Sequence, residues 1–99
     1  MIKDSGKRQK YPSGMHRDSL DGKPRYDLLP IPMITRWAKH MADGAKKYGD
    51  RNWEKSCTKE EKERFKGSAF RHFIQWFNGE TDEDHASAVF FNISAAERL

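Results

Sequence analysis

Ile34-Thr35-Arg36-Trp37-Ala38-Lys39-His40-Met41-Ala42-Asp43-Gly44-Ala45-Lys46-Lys47-Tyr48-Gly49-Asp50-Arg51-Asn52-Trp53 carries the pattern on which the fold turns. Ile34, Trp37, Ala38, Met41, Ala45 and Tyr48 recur at spacings of three, one, three, four and three, which lays one apolar stripe along an α-helix. Pro32 suits the first turn of that helix, and Gly49, free to take a left-handed backbone, is its natural stop. The last eight residues crowd Lys46, Lys47, Arg51, Asp50, Asn52, Tyr48 and Trp53 around the glycine. A helix end needs little more than the glycine and one cation. The surplus fits a wall for a planar anionic ligand, with aromatics for a base and cations for phosphates. A solvated terminus followed by a turn with a buried Trp explains the same octet equally well.

Two further helices follow. Thr58-Lys59-Glu60-Glu61 has the form of a capping box, Thr58 as N-cap and Glu61 three positions on. Phe65, Ala69, Phe73, Trp76 and Phe77 continue as its stripe, and Asn78-Gly79 closes it. Asp82 is the expected N-cap of the third helix, whose stripe is His85, Ala88, Val89, Asn92, Ala96 and Leu99. Upstream, residues 1–22 are rich in Gly, Ser and charge without periodicity, and Pro24 and Pro30 hold residues 22–30 extended. Strand signals are nearly absent. The expectation is an all-α fold: three main helices with an extended N-terminal segment, a basic flexible arm over 1–14 and a single domain over 15–99.

Ninety-nine residues make one domain at most. Only 35% of them are apolar and 34% are charged, yet 12% are aromatic, which argues against disorder. So small a core is marginal alone, and the helical bundle is expected to be completed by homo-oligomerisation, as a dimer or a tetramer. The net charge is +4, with Lys3, Lys7, Arg8, Lys10 and Arg17 opposed only by Asp4 near the N-terminus. No groove-reading motif accompanies them, so nucleic acid is not the expected partner. The single cysteine, Cys57, excludes an internal disulfide and a multi-thiolate zinc site, and fits a reducing compartment. Without a signal-peptide core or an apolar run of about 20 residues, no membrane is expected. The expected location is the cytoplasm.

Several groups could carry chemistry. Glu80, Asp82, Glu83 and Asp84 place four carboxylates in five residues, running into His85. Acids commonly gather at a helix start because the macrodipole favours them. Crowded oxygens are also what Mg²⁺ or Mn²⁺ requires, often shared with substrate phosphates. His85 and Asn92 sit on the inner stripe of the third helix and need partners there, in the protein or in a ligand. Arg71-His72 lies among Phe70, Phe73 and Trp76, either covering aromatic surface with its stem or clamping a phosphate. Lys23 and Arg25 add cations before the first helix. No Ser/His/Asp or Cys/His nucleophile pattern and no glycine-rich phosphate loop is present.

Five blocks in order carry a family resemblance: Ser13-Gly14-x-x-Arg17-Asp18, Gly22-Lys23-x-Arg25-Tyr26-Asp27-Leu28-Leu29-Pro30, Gly44-Ala45-x-Lys47-Tyr48-Gly49-Asp50-Arg51-Asn52-Trp53-Glu54, Ser68-Ala69-x-Arg71-His72, and Glu83-Asp84-His85-x-x-Ala88-x-x-x-Asn92. Together they resemble the small phage dATP/dGTP diphosphohydrolase domain, which is similar to MazG-type nucleotide pyrophosphohydrolases. The resemblance implies an all-α assembly in the host cytoplasm that hydrolyses a deoxynucleoside triphosphate, a purine one, to monophosphate and pyrophosphate with Mg²⁺ or Mn²⁺. It further implies Glu83, Asp84 and His85 as catalytic residues. It also places Lys47, Arg51, Asn52, Arg71, His72 and Asn92 at the nucleotide; the residue reading adds Lys23, Arg25, Tyr48 and Trp53 as nucleotide and phosphate contacts, and Asp43, Glu80, Glu83 and Asp84 as metal contacts. The general Glu-Glu-x-x-Glu pattern has no counterpart: Glu60-Glu61 opens a capped turn and position 64 is Arg. A module that binds and sequesters a nucleotide or nucleotide-derived signal without hydrolysing it is the alternative.

Overall fold

The computed structural model describes Asp4 and residues 6–99. Two short strands, β1 (Arg8–Lys10) and β2 (His16–Asp18), pair antiparallel with Arg8 opposite Asp18 and Lys10 opposite His16. Three helices follow: α1 (Ile31–Tyr48), α2 (Lys59–Phe77) and α3 (His85–Glu97). Single 3₁₀ turns at Tyr26–Leu28 and Asn52–Lys55 lead into α1 and out of it.

The all-α expectation needs correction: the chain is mostly helical with a two-stranded hairpin. Its turn is closed by the Tyr11 amide donating to the Met15 carbonyl at 2.9 Å and the Gly14 amide donating to the Tyr11 carbonyl at 2.9 Å. Gly14 supplies the required positive φ of 90°. Every strand residue is polar, so no alternation of apolar and polar side chains announces the pairing. Charge ties the hairpin instead: Arg8 reaches Asp4 at 2.8 Å and Asp18 at 3.4 Å. The boundary expected at residue 14 falls inside the hairpin turn. Lys3, one of the basic residues of the expected arm, lies outside the described residues.

The helix boundaries follow the sequence closely. Gly49, at φ 92°, ends α1, and its amide donates to the Ala45 carbonyl. The capping box of α2 is formed in both directions, the Glu61 amide donating to Thr58 Oγ1 and the Thr58 amide donating to Glu61 Oε1, each at 3.1 Å. The start of α3 differs from expectation. Asp84, not Asp82, is its N-cap, accepting from the Ser87 amide at 3.1 Å. Asp82 is engaged by a histidine, described below.

α2 and α3 form an antiparallel hairpin, fixed at one end by Lys62 Nζ donating to the Leu99 carbonyl at 3.3 Å. Ala69, Ala88, Ala95 and Ala96 are the buried apolar residues between them, small enough to let the helices close on one another. Asn92 is buried on the same seam and satisfies itself, its Nδ2 donating to the Ala88 carbonyl at 2.8 Å. α1 packs on the other side of α3 through Trp37 against Phe90 and His40 against Phe91, at ring separations of 5.8 and 5.7 Å. Arg98 donates to the carbonyls of Ser56 and Glu54, binding the 52–55 turn to the end of α3. Among the described residues α3 is thus the element that both other helices lean on, and α1 has no fully buried residue. The radius of gyration, 18.9 Å, exceeds the roughly 13 Å of a compact chain of this length.

Removing the Thr58 hydroxyl tests how far α2 depends on its cap. Thr58→Ala is expected to lower unfolding free energy by about 1 kcal/mol in urea denaturation followed by circular dichroism. An unchanged midpoint would mean that packing on α3 fixes the start of α2 without the cap.

Candidate functional site

His85 opens α3 and is only 2% exposed. Burying an imidazole without partners costs about 1–3 kcal/mol, so both ring nitrogens need one. His85 Nε2 lies 2.8 Å from Asp82 Oδ1, and His85 Nδ1 lies 2.9 Å from Nδ1 of His72 on α2. Beyond it, Arg71 Nη2 stands 3.5 Å from His72 Nε2. One proton order satisfies all of these contacts with neutral rings. Asp82 accepts from His85 Nε2–H, His85 Nδ1 accepts from His72 Nδ1–H, and His72 Nε2 keeps its lone pair toward the arginine. Burial and then the Arg71 charge lower the His72 pKa below its ordinary value, which keeps that ring neutral. The hydrogen bond to His85 is also the main reason that the Asp82 carboxyl is held below the usual range.

Three potential ligand atoms, one each from Glu80, Asp82 and His85, lie within 4.8 Å of one another. The first two are exposed and the third is buried. They border a cleft of about 650 Å³ at the closed end of the α2–α3 hairpin, walled by Arg36 of α1, Trp76 of α2 and Gly79–Ala86. Glu83 lines the same cleft and has no ion pair among the described residues. Asp84 is occupied. Arg36 grips it with two hydrogen bonds, at 2.9 and 2.7 Å, while Asp84 also caps α3.

The structure brings Glu80, Glu83, Asp84 and His85 to this cleft, with His72 behind His85 and Arg71 behind His72. It does not bring the others. Lys23 pairs with Asp18 at 3.5 Å, and Arg25 makes a two-point contact with Asp27. Asp43 lies seven residues beyond Arg36 on α1, about 10 Å along the axis, and is not part of the Glu80–Asp82–His85 group. Lys47, Tyr48, Arg51, Asn52 and Trp53 belong to the turn after α1, where Trp53 packs edge-on to Phe91 at 6.4 Å. Phe91 is six residues, or about 9 Å, along α3 from His85. Asn92 bonds to its own helix, so it and His85 do not pair. Lys47 rests over the Tyr48 ring at 5.5 Å, and Arg51 holds a left-handed backbone, φ 57°.

Sequence reasoning missed Arg36 and Trp76 as parts of the cleft and, although it counted Asp82 in the acidic cluster, gave it the cap of α3 rather than the bond to His85. Arg36 carries no motif, Trp76 reads as core from its spacing, and Asp82 matches a capping position. The available signal was Asp82-x-x-His85, a carboxylate and an imidazole one helical turn apart.

With this geometry in view, comparison of the sequence with known families is decisive. The family described as dATP/dGTP diphosphohydrolase, N-terminal, matches residues 13–98. The chain belongs to that family. As a dATP/dGTP diphosphohydrolase N-terminal domain it includes in the match both the cleft and the Tyr48–Trp53 turn. No curated protein and no solved structure matches it. No helix among the described residues is long and apolar enough to cross a membrane.

The Arg36–Asp84 pair gives the cleft a pH signature. The guanidinium, more than the Ser87 amide, holds the Asp84 carboxyl well below its ordinary value of 3.8. An acid lowered by folding contributes its full stabilisation above the unfolded pKa and loses it as pH falls. Wild-type stability should therefore fall progressively as pH drops below about 4, and between pH 4 and pH 3 it should fall by about 0.5 kcal/mol more than that of Asp84→Asn, roughly half the unscreened figure because Arg36 is half exposed. Parallel pH profiles for the two proteins would mean that the pair contributes nothing.

Proposed function

We propose that the chain is a metal-dependent deoxynucleoside triphosphate diphosphohydrolase domain acting at the Glu80–His85 cleft, with a purine dNTP as substrate. The observation that carries this reading is the convergence of Glu80, Asp82 and His85 at the mouth of a cleft that also holds Arg36 and Trp76, in a chain of the dATP/dGTP diphosphohydrolase family. The Glu80 and Asp82 carboxylates are hard oxygen donors that suit Mg²⁺ or Mn²⁺ shared with substrate phosphates. Glu80 and Asp82 would hold the ion, with His85 Nε2–H fixing the Asp82 carboxylate; when bound, the ion would supply charge neutralisation and activation of water.

The chain's own residues supply the rest. Glu83, unpaired and exposed in the cleft, is the base that takes a proton from the attacking water. The bond formed joins the water oxygen to the α-phosphorus. The bond broken is that from the α-phosphorus to the bridging oxygen, which leaves with pyrophosphate. His72 donates to His85 Nδ1 and Asp82 accepts from His85 Nε2–H, so the imidazole is a fixed wall of the cleft. Trp76 offers a half-exposed aromatic face to a base. Lys47, Arg51 and Asn52 form the second, more distant nucleotide-directed cluster.

Incubation with each dNTP and Mn²⁺ should release pyrophosphate and the monophosphate from purine substrates, and Glu83→Gln should reduce the rate about 10²-fold or more. One observation favours the sequestering alternative: Arg36 and Asp84 neutralise each other, removing one cation and one acid from the cleft. Tight nucleotide binding without pyrophosphate in any metal would select that reading. Arg51→Gly isolates the role of the turn, because glycine accepts φ 57° without strain. Stability should hold or rise while nucleotide affinity falls about tenfold, and unchanged affinity would remove Arg51 from the binding surface.

A further inference from the structure

Among the described residues that line the Glu80–His85 cleft, Arg36 is the only arginine or lysine, set against the carboxylates of Glu80, Asp82, Glu83 and Asp84. A guanidinium spreads five N–H donors over a rigid plane. Nε and Nη2 form its side edge, and Nη1 and Nη2 form its end edge. Asp84 takes the side edge: Oδ2 accepts from Nε at 2.9 Å and Oδ1 accepts from Nη2 at 2.7 Å. The remaining three N–H groups, two on Nη1 and one on Nη2, have no acceptor among the described residues. The ion pair therefore cancels the charge of Arg36 without using up its donors.

The end edge is also held in place. Asp84 Oδ1 accepts from the Ser87 amide at 3.1 Å as well, so the carboxylate is fixed by the start of α3 and fixes the guanidinium plane in turn. A ligand need not order this side chain, which lowers the entropy cost of binding to it. The Arg36 side chain is 53% exposed, so the cleft gives access to it. Tying α1 to α3 accounts for the side edge alone.

Two parallel N–H groups match two oxygens on one atom, as in a carboxylate or a phosphoryl group. The acids around the cleft decide between them. A bare carboxylate ligand would be repelled there. A polyphosphate that arrives with a divalent ion is not, because the ion shares its coordination between phosphate oxygens and protein carboxylates. We infer that Arg36, held along its side edge by Asp84, receives a phosphoryl group of a Mg²⁺-bound polyphosphate on its free end edge. The source of that group rests on the function proposed above: it is the pyrophosphate portion of the triphosphate.

Calorimetric titration with inorganic pyrophosphate in the presence of Mg²⁺ tests the contact without turnover. Arg36→Gln and Asp84→Asn break the same ion pair between α1 and α3 but treat the anion oppositely. Arg36→Gln removes the end edge, and pyrophosphate affinity should fall about tenfold or more. Asp84→Asn keeps the arginine, an oxygen to hold it and a favourable N-cap while removing one negative charge, so affinity should hold or rise. Arg36→Lys keeps the cation and the tie to Asp84 without a second edge, and should stay weaker than wild type; it also serves if Arg36→Gln fails to fold. Equal changes in Arg36→Gln and Asp84→Asn, full affinity in Arg36→Lys, or a wild type that binds no pyrophosphate would each overturn the inference. The activity can fail separately. Binding lost on Arg36→Gln in a protein that hydrolyses no dNTP would keep Arg36 at the phosphate and sink the enzyme, whereas dNTP turnover with unchanged KM in Arg36→Gln would do the reverse.

Discussion

A buried imidazole at the start of α3 constrains everything around it. His85 can leave water only because His72 approaches it from α2 and Asp82 approaches it from the connecting turn. Those two contacts fix the helix pair in register, curl the acidic turn back over the end of α3, and displace Asp82 from capping. Asp84 takes the cap instead, and its second role as the anchor for Arg36 brings α1 across the hairpin. The apolar residues in the seam are alanines, which permit close approach but contribute little burial each. Polar pairing therefore determines which arrangement of three helices is reached, while apolar packing on this chain remains thin.

Much of the helical layout was legible because its determinants are local. Thr58 and Glu61 make a capping box from four consecutive residues, and Gly49 ends α1 through its own backbone freedom. The N-terminal hairpin was illegible because its strands are polar on both faces and held by a glycine turn and Arg8 ion pairs. The acidic run and His85 drew notice from composition alone, but their division of labour did not. Whether Asp82 or Asp84 caps α3 depends on His72, thirteen residues upstream of His85, and no local pattern reports that. Arg36 was invisible for the same reason, since its partner lies 48 residues away.

The two clusters proposed to meet a nucleotide lie at different levels along α3. The acids and His85 gather at its amino end, while Trp53, in the turn after α1 that also carries Tyr48 and Arg51, stands against Phe91 further along. The family match spans both clusters. The structural cost is visible in the exposed aromatic residues of α2, which a self-sufficient small domain would cover.

The central claim is that His85 is a doubly bonded imidazole held in one tautomer, with its proton on Nε2. Long-range ¹H–¹⁵N correlation spectra of the metal-free protein near neutral pH read this directly, with assignment from His85→Gln and His72→Gln. The account predicts one slowly exchanging tautomer of His85, protonated at Nε2 and accepting at Nδ1, with His72 protonated at Nδ1. A His85 ring protonated at Nδ1, or one averaging freely between tautomers, would contradict it.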